Sequence, residues 1–299
     1  MLATAVAVVV GLCLQVPNAA ADVPSRPGEV GVQALPLRLN VMSWNICGAS
    51  HNACDDLGDA AQKVDRIVQV TKERNVHVIL LQEACELSHS KALPAKLTAA
   101  GLGNWAVYHS RARNYNTGEY LACTNEPAAA NNYAGPAVLM KKFPRNSIKP
   151  EPAVLPDVPA DPYSVSEAAC LRDEGNGLFA CSAHFANEGF DAENGDPTDT
   201  REAQAARYAE VAAEKRAEGY TTFIGGDLNI SKSYMLQPLE SGNIEADALG
   251  RWTSGLVKLD YIYADASQWE RDSLAGVYSP EGLSDHQMLV GFFSWFGEG

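Results

Sequence analysis

Five short polar stretches lie at or beside the ends of apolar runs, and each contains a carboxylate, a carboxamide or an imidazole. They are Trp44-Asn45, Gln82-Glu83, His184, Gly226-Asp227-Leu228-Asn229 and Ser284-Asp285-His286. One such stretch alone is weak evidence, because Asn and Asp beside Gly are common turn residues. The combination is more informative, since ligands of α/β sheets gather where strands end. Together the stretches predict one metal-dependent site that cleaves phosphoesters.

Two of these stretches offer oxygen ligands for a divalent cation. Glu83 follows the apolar run VHVILL at 76–81, and Asn45 ends an apolar run that begins near Leu37. Mg²⁺ prefers a few protein oxygens and keeps the rest of its octahedral shell for water and substrate phosphate. We therefore expect Glu83 and Asn45 to bind Mg²⁺. The alternative for Glu83 is a solvated strand end.

The segment GGDLN at 225–229 places Asp227 and Asn229 two residues apart. In an extended backbone, both side chains project to the same side. The two preceding glycines would let a phosphate approach the backbone closely. The segment is thus a candidate phosphate and water site, and the alternative is a simple Gly-Asp turn.

Two histidines and one further acid complete the candidate chemistry. Ser284-Asp285-His286 offers an acceptor and an imidazole just before a strand, and hydrolysis needs a proton acceptor and charge stabilisation at phosphorus. Asp260 lies within the apolar segment KLDYIY, where an unpaired carboxylate is costly to bury. It needs a partner, and His286 is the natural candidate. His184 could donate a hydrogen bond or a proton, or be an ordinary strand-end residue.

Apolar periodicity predicts the elements that must position these residues. Strands are expected over 37–46, 76–81, 178–185, 221–226, 256–263 and 288–295, and helices over 59–74 and 199–218. Alternation in the first strand predicts two faces, with Leu37, Leu39 and Val41 on one and Met42, Trp44 and Ile46 on the other. Five prolines within 150–164 exclude a central strand there. The pattern predicts one α/β domain whose sheets are covered by helices.

The N-terminus resembles a secretory signal. Residues 2–16 are uncharged and mostly apolar, and Ala19 to Ala21 follow as a small-residue cleavage site. We expect a signal peptide over 1–21, a leader rich in Pro and Gly over 22–36, and a single domain over 37–299. The basic residues that usually precede the apolar core are missing. A membrane anchor is the alternative, but the segment is short for one.

Six cysteines remain after such a cleavage, and an even number in an exported chain predicts disulfides. Zinc is the competing interpretation, but no pair has C-x-x-C spacing. Proximity favours the pairs Cys47–Cys54 and Cys170–Cys181, which leaves Cys85 with Cys123.

The formal net charge is −14, so the surface is acidic. A protein that grips nucleic acid through its phosphates usually shows a basic face. Only two short groups of basic residues hint at one, Arg111 with Arg113, and Lys141 with Lys142 and Arg145. Tight, sequence-specific DNA binding is therefore disfavoured.

Six motifs in one order carry a resemblance to a known family. WNI at 44–46, QE at 82–83, SAHF at 182–185, GGDLN at 225–229, KLDYIY at 258–263 and SDH at 284–286 resemble the endonuclease/exonuclease/phosphatase superfamily, over roughly Leu37 to Trp295. That superfamily includes DNase I-like nucleases, sphingomyelinases and inositol polyphosphate phosphatases. The resemblance implies a four-layer sandwich, with two mixed β-sheets packed face to face between helices and the site at one end.

The resemblance also implies roles for individual residues. Glu83 would be the principal Mg²⁺ ligand, with Asn45 and Asp285, and Mn²⁺ could replace Mg²⁺. Asp227 and Asn229 would orient water and phosphate.

His286, held by Asp260 or Asp285, is similar to the general base of the family, although Asp227 is the alternative base. His184 would stabilise the phosphate or protonate the leaving group. Asn132 and Tyr133 are loosely similar to a substrate contact. The insertion between Cys47 and Cys54 departs from the family pattern and affects substrate access.

The expected function is a secreted, magnesium-dependent phosphodiesterase, with nuclease activity slightly favoured. A sphingomyelinase-type phospholipase C or a phosphomonoesterase is the alternative, and a binding protein that kept the fold without catalysis is a third. The expected partner is a phosphoester, including nucleic acid bound without sequence specificity. We expect a monomer without stable membrane insertion.

Overall fold

A first mixed sheet carries the Asn45 and Glu83 motifs. Within the described residues it has seven strands, in the order β12-β14-β1-β2-β4-β3, with β13 also paired to β14. β1 and β2 are parallel, and the other neighbours are antiparallel. The strands are β1 (Arg38–Asn45), β2 (Val78–Cys85), β3 (Trp105–His109), β4 (Ala134–Lys141), β12 (Trp269–Arg271), β13 (Gly276–Tyr278) and β14 (Met288–Trp295).

A second mixed sheet carries the His184, Asp227 and Asp260 motifs. Its seven described strands have the order β10-β11-β9-β8-β7-β5, with β6 also paired to β7, and only β8 and β9 are parallel. The strands are β5 (Ile148–Pro150), β6 (Ala153–Val154), β7 (Glu167–Asp173), β8 (Leu178–His184), β9 (Thr221–Asp227), β10 (Asn243–Glu245) and β11 (Asp260–Asp265).

The computed structural model describes residues 35–49, 54, 56–114, 117–123, 131–156, 167–186, 197–231, 233–272 and 274–297, with backbone only for 197–199. All of them belong to one unit, 32–299. The expected signal peptide over 1–21 and nearly all of the leader lie outside these ranges. No helix in the described part of the chain is long and apolar enough to cross a membrane.

Few helices flank the sheets. They are α1 (Ala60–Arg74), a π-helical turn (Glu86–Ser90), α2 (Leu93–Ala99), α3 (Pro197–Ala217), a 3-10 turn (Ser233–Leu236) and α4 (Gln237–Glu240). α1 begins after Asp59 because Asp59 and Gln62 form a reciprocal capping box. It ends at Asn75, whose left-handed backbone (φ 48°) closes the helix.

The core has three apolar layers. One lies between the sheets, and each of the other two lies between a sheet and its helices. In β1, Leu39 and Val41 face the opposite sheet, whereas Met42, Trp44 and Ile46 face α1 and α2. This confirms the two mixed sheets flanked by helices. Only Leu37 differs from the predicted faces, because it precedes β1 and is 69% exposed.

Several predicted boundaries shift. α3 begins at Pro197, two residues before the predicted start. The strand predicted over 256–263 begins only at Asp260, because a turn at Ser254–Val257, with Gly255 at φ 52°, precedes it. Periodicity did not predict strands β3 to β7, β10, β12 and β13, and most of these are short. The described part of the proline-rich stretch, 150–156, contributes residues to the edge strands β5 and β6 and to no central strand.

Cysteine pairing follows the predicted scheme. The Cα atoms are 5.5 Å apart for Cys47–Cys54, 6.0 Å for Cys85–Cys123 and 4.1 Å for Cys170–Cys181, and each pair forms a disulfide. All three predicted pairs are confirmed, and the zinc alternative is not supported.

Candidate active site

The predicted site residues meet at one edge of the two sheets. Asn45, His184 and Asp227 are the last residues of β1, β8 and β9, and Asp260 is the first residue of β11. Asp227 pairs in register with His184 on one side and with Asp260 on the other. The carboxyl ends of parallel strands and the start of an antiparallel neighbour thus meet at one edge of the sandwich.

Asn45 joins a carboxylate from each sheet. Its Nδ2 donates hydrogen bonds to Glu83 Oε1 and to Asp227 Oδ2, both at 3.0 Å. Its Oδ1 accepts from the backbone N–H of Cys47 at 3.0 Å, so the amide nitrogen faces the two acids. Asn45 is buried, which fixes the separation of Glu83 and Asp227.

Asp227 is the centre of the site. Its Oδ2 lies 3.6 Å from His184 Nε2 and 3.5 Å from His286 Nε2, in addition to the bond from Asn45. Its Oδ1 accepts from the Asn229 backbone N–H at 3.0 Å. The Asn229 amide nitrogen donates to Phe185 O, so the side chain is held beside the end of β8. One buried carboxylate oxygen therefore contacts two imidazoles and an amide.

His286 is fixed by a buried acid and by its own backbone. Its Nδ1 lies 2.8 Å from Asp260 Oδ2. The backbone carbonyl of His286 accepts from Trp44 Nε1 at 3.0 Å, and its N–H donates to Ser284 Oγ. Burial alone would lower the pKa of His286, but the charges of Asp260 and Asp227 outweigh burial and raise it to about 10. The imidazolium is therefore the favoured form, with Nδ1 hydrogen-bonded to Asp260 and Nε2 facing Asp227.

A β-bulge turns Glu83 into the site. The register of β2 against β4 shifts between Leu81 and Ala84, and Glu83 has a left-handed backbone (φ 51°). Its neighbour Gln82 points between the sheets, where Nε2 donates to Ser182 Oγ at 3.0 Å. Left-handed backbones also occur at Cys47 and Asn229. Such non-glycine conformations are strained and cluster at functional sites.

Asp285 lies at the rim of the site, beside a disulfide. It is exposed, and its carboxylate and the sulfurs of Cys47 and Cys54 lie within 4.8 Å of one another. Cys54 Sγ is also 3.9 Å from Glu83 Oε2. Because both sulfurs are oxidised, this group is not a thiolate metal site. The disulfide therefore lies close to both Asp285 and Glu83.

The donor set fits a hard divalent cation in its chemistry. Glu83 and Asp227 supply carboxylate oxygens close to the same amide, and Asp285 supplies another at the rim. Asn45 fits less directly, because its oxygen is bound to the Cys47 N–H. The role of Asn45 as a ligand stays a prediction, whereas its role in joining the two acids is visible.

Asn132 and Tyr133 lie apart from this group. Asn132 is buried, and its Oδ1 accepts from Leu87 N while its Nδ2 donates to Ser88 Oγ, so it holds the π-helical turn. Tyr133 contacts Arg111, whose guanidinium carbon lies 4.7 Å from the ring centre. Asn132 and Tyr133 are therefore not part of the residues gathered around Asp227, here called the Asp227 cluster (Asn45, Glu83, His184, Asp227, Asn229, Asp260, Asp285 and His286). Tyr133 faces a neighbouring basic surface instead.

Close packing explains the two glycines before Asp227. A Cβ on Gly226 would lie 1.9 Å from Ala183 O, and one on Gly225 would lie 2.3 Å from Tyr261 O. Both glycines are buried between neighbouring strands. They allow β9 to pack between β8 and β11, which differs from the predicted approach of a phosphate to their backbone.

Two buried cations that position the site were not predicted from the sequence. Lys63 in α1 donates to Cys47 O at 2.7 Å, and Arg201 in α3 donates to Asn229 O at 3.0 Å. Each holds a residue with a left-handed backbone. The only signal was a charged residue on a buried helix face, which periodicity alone does not connect to a distant loop.

Comparison with known proteins agrees with this geometry. The model of the Endonuclease/Exonuclease/phosphatase family matches residues 42–286. No curated protein matches the chain by sequence.

Solved structures share the fold at low sequence identity. The human Nocturnin catalytic domain with bound sulfate has a TM-score of 0.61 at 16% identity, covering 88% of this chain and 96% of its own. Truncated TDP2 from Caenorhabditis elegans has a TM-score of 0.58 at 18% identity, and the match covers 86% of this chain and 98% of that structure. An endonuclease/exonuclease/phosphatase from Bacteroides vulgatus has a TM-score of 0.57 at 15% identity, and the match covers 87% of this chain and 99% of that structure. The family model spans most of the chain and includes every residue of the Asp227 cluster, so this protein belongs to the Endonuclease/Exonuclease/phosphatase family.

Proposed function

We propose that this protein is a secreted, magnesium-dependent phosphodiesterase that prefers nucleic acid. The family hydrolyses phosphoesters, which gives the reaction class. The observation that carries the proposal is the convergence of Asn45, His184 and His286 on Asp227 Oδ2, with Glu83 on the other side of Asn45. This arrangement combines an oxygen-rich metal site with groups that move protons.

Glu83 is the proposed principal ligand, with Asp285 at the rim and Asn45 as a third ligand. A bound Mg²⁺, or Mn²⁺ in its place, would stabilise negative charge on the phosphate oxygens. The bulge at Glu83 and the disulfide at Cys54 hold this carboxylate at the edge of the site.

Asp227 is the proposed proton acceptor for the attacking water. Its Oδ1 is engaged by Asn229 N–H, which orients the carboxylate. His286 is the less suitable base, because two carboxylates favour its protonated form. Protonated His286, held by Asp260, would instead donate a hydrogen bond to a phosphate oxygen. His184, partly exposed beside Asp227, is the proposed donor of a proton to the leaving oxygen.

The experiment is a substrate panel with the purified mature protein. Duplex DNA, RNA, sphingomyelin vesicles and a nitrophenyl phosphomonoester are each assayed with Mg²⁺ and with excess EDTA. We expect metal-dependent cleavage of nucleic acid, and loss of that activity in Asp227→Asn shows that it belongs to this protein. Cleavage of the monoester alone would reject a phosphodiesterase.

Secretion is supported by the apolar N-terminal stretch and by the three disulfides, which form in oxidising compartments. N-terminal sequencing of protein from the culture medium should begin at Asp22. Protein found only inside the cell, with residues 1–21 still attached, would contradict export.

A sphingomyelinase-type phospholipase C is the second candidate, because an apolar surface adjoins the site. The exposed side chains Leu249, Trp252, Leu256 and Val257 lie on one loop. Ser254 in this loop pairs with His286 through a β-bridge. Exposed apolar side chains beside a site suit a substrate in a lipid surface. Preferential cleavage of sphingomyelin in the panel would favour this function over nuclease activity.

A further inference from the structure

The two groups of basic residues noted in the sequence lie at opposite ends of the strands of the first sheet. β4 runs antiparallel to β2, and its first residue, Ala134, pairs with Cys85, just beyond Glu83. Arg111 and Arg113 follow β3 and run beside Ala134, since Ala112 N donates to Ala134 O at 2.8 Å. Lys141 ends β4 at the far edge. Only the Arg111 group is therefore on the edge that carries the active site.

This group packs against two tyrosines whose rings are tilted by 55° to each other. The four residues are here called the Arg–Tyr cluster: Arg111, Arg113, Tyr120 and Tyr133. The Arg111 guanidinium carbon lies 4.7 Å from the Tyr133 ring centre and 5.3 Å from that of Tyr120. The Arg113 carbon lies 4.6 Å from the Tyr120 centre, and its Nη2 donates to Tyr120 Oη at 2.8 Å. The two ring centres are 5.3 Å apart.

The cluster is covalently tied to the site. Cys123, three residues after Tyr120, forms a disulfide with Cys85 at the end of β2. Backbone hydrogen bonds from Leu121 N to Ala112 O and from Ala134 N to Leu121 O join its three chain segments. A ligand held by the cluster therefore has a defined position relative to Glu83.

A cavity of about 280 Å³ opens beside the cluster. Its lining includes Tyr108, His109, Arg111, Arg113, Tyr120 and Glu167. This volume is near the lower end of the ~300–1,000 Å³ typical of small-molecule pockets, so it suits a single ring system.

The charges around the cavity leave one cation available. Glu86 binds both Arg111, at 2.7 Å, and Lys91, at 2.8 Å, so two cations share one carboxylate. Glu167, the other acid of the lining, accepts from Ser110 Oγ at 2.8 Å, so three cations face two acids. Arg113 is exposed and has no carboxylate partner among the described residues. Tyr120 beside it is 38% exposed. An unpaired guanidinium next to an exposed aromatic ring matches one phosphate and one base.

We infer that the Arg–Tyr cluster binds a nucleotide of single-stranded nucleic acid that flanks the scissile phosphodiester, which rests on the proposed function. The base stacks on the planar surface of Tyr120 and Arg113, and its phosphate pairs with Arg113. The net charge of −14 disfavours the long basic face that duplex binding needs. One stacked nucleotide requires only this small surface.

The first experiment measures binding without hydrolysis. A fluorescein-labelled short oligothymidylate is titrated with the protein in EDTA, and anisotropy gives the Kd. We expect Tyr120→Leu and Arg113→Ala each to raise the Kd about tenfold. Tyr120→Phe should retain binding, because it keeps the ring. Lys142→Ala, an exposed cation at the far edge, is the matched control and should leave the Kd unchanged. The salt slope should fall by ~0.7 in Arg113→Ala alone.

The second experiment compares kcat/KM on the oligonucleotide with kcat/KM on bis(4-nitrophenyl) phosphate. Tyr120→Leu should lose activity about tenfold on the oligonucleotide and keep it on the small diester, which cannot reach the cluster. Equal losses on both substrates, or a lower Tm with an unchanged Kd, would overturn the inference. The inference would also be overturned if Tyr120→Leu lost binding to lipid vesicles but kept its Kd for the oligonucleotide.

The two proposals fail in distinguishable ways. A protein that hydrolyses the small diester but binds no oligonucleotide keeps the phosphodiesterase function and loses the nucleotide site. A protein that binds the oligonucleotide through Tyr120 but cleaves no phosphodiester keeps the nucleotide site and loses the function.

Discussion

His286 Nδ1 and Asp260 Oδ2 are 2.8 Å apart, and both side chains are buried. Asp260 begins β11, and His286 lies just before β14. The buried acid holds one nitrogen of the ring, so the other nitrogen points at Asp227. The pair therefore fixes both the direction and the charge of the imidazole.

Removal of that acid should lower the pKa of His286. In Asp260→Asn the ring loses the closest of the charges that raise its pKa to about 10. We expect a lower pKa by NMR titration of the His286 ring and a fall in kcat/KM of about 100-fold at neutral pH. Asp272→Asn, on an exposed ion pair with Arg38, is the control. An unchanged His286 pKa would contradict the coupling.

Metal binding should depend on Glu83. Glu83→Gln keeps the shape of the side chain but removes the charge that suits Mg²⁺. Calorimetric titration with Mg²⁺ should show a large loss of affinity, whereas Asp227→Asn should mainly lower the rate. Glu73→Gln, exposed on α1, should match wild type. Full turnover in excess EDTA would exclude a required metal.

The two histidines should differ in their leaving-group dependence. A general acid matters little when the leaving group is nitrophenolate, because that oxygen needs no proton. His184→Ala should therefore lose much less kcat/KM on a nitrophenyl diester than on a natural one, while His286→Ala stays impaired on both. Equal losses for His184→Ala on the two substrates would reject its role as the acid.

The disulfide beside Glu83 should affect metal affinity. Cys54 Sγ lies 3.9 Å from Glu83, and the N–H of Cys47 holds the Asn45 oxygen. Replacing both cysteines by serine should lower the apparent Mg²⁺ affinity as well as Tm. The matched control replaces Cys170 and Cys181, a cross-strand pair in β7 and β8, and should lower Tm alone. Equal Mg²⁺ affinity in the two double variants would show that the Cys47–Cys54 disulfide has no specific effect on metal binding.

Stability should fall in mild acid. Burial lowers the pKa of His77 to about 4, of His89 to about 3 and of His109 to about 4. The unfolded chain therefore binds more protons than the folded chain as pH falls below about 6.5, so the free energy of unfolding decreases from there toward pH 3 to 4. His286 acts in a different pH range, because its raised pKa contributes stability that is complete below about pH 6.5 and is lost as pH rises toward about 10.

Urea denaturation in EDTA at pH 7 and pH 5 measures this effect. His77→Asn, which keeps an acceptor for Asn40 N–H, should reduce the loss between the two pH values. Identical pH dependence of the free energy of unfolding in wild type and the variant would show that His77 has the same pKa in the folded and the unfolded chain.

The sequence predicted most residues of the candidate site but not how they are positioned. Asn45, Asp227 and His184 end strands with strong apolar patterns, so their convergence was predictable. The bulge at Glu83 was not, because alternation in QEAC gives no sign of an extra residue. The contact of Lys63 with Cys47 spans a helix and a loop, and periodicity carries no information on such long-range pairs.

Asn132 shows a different limit. Its position before a strand resembles a family contact, yet both its side-chain groups are bound within the π-helical turn. A motif gives the place of a residue in the chain, whereas its role depends on which local donors and acceptors compete for it.

The hydrogen bond from Asn45 to Asp227 crosses from the first sheet to the second, since Asn45 ends β1 and Asp227 ends β9. Asn45 also binds Glu83, which lies in β2 of its own sheet. The spacing of the two acids is therefore set by the thickness of the apolar layer between the sheets, where Leu80 and Ile262 pack. Gln82 and Ser182 repeat this cross-sheet link one residue away from Glu83. A change of side-chain volume deep in that layer can thus alter catalysis without touching any polar group, and evolution of this core is constrained by chemistry as well as by folding.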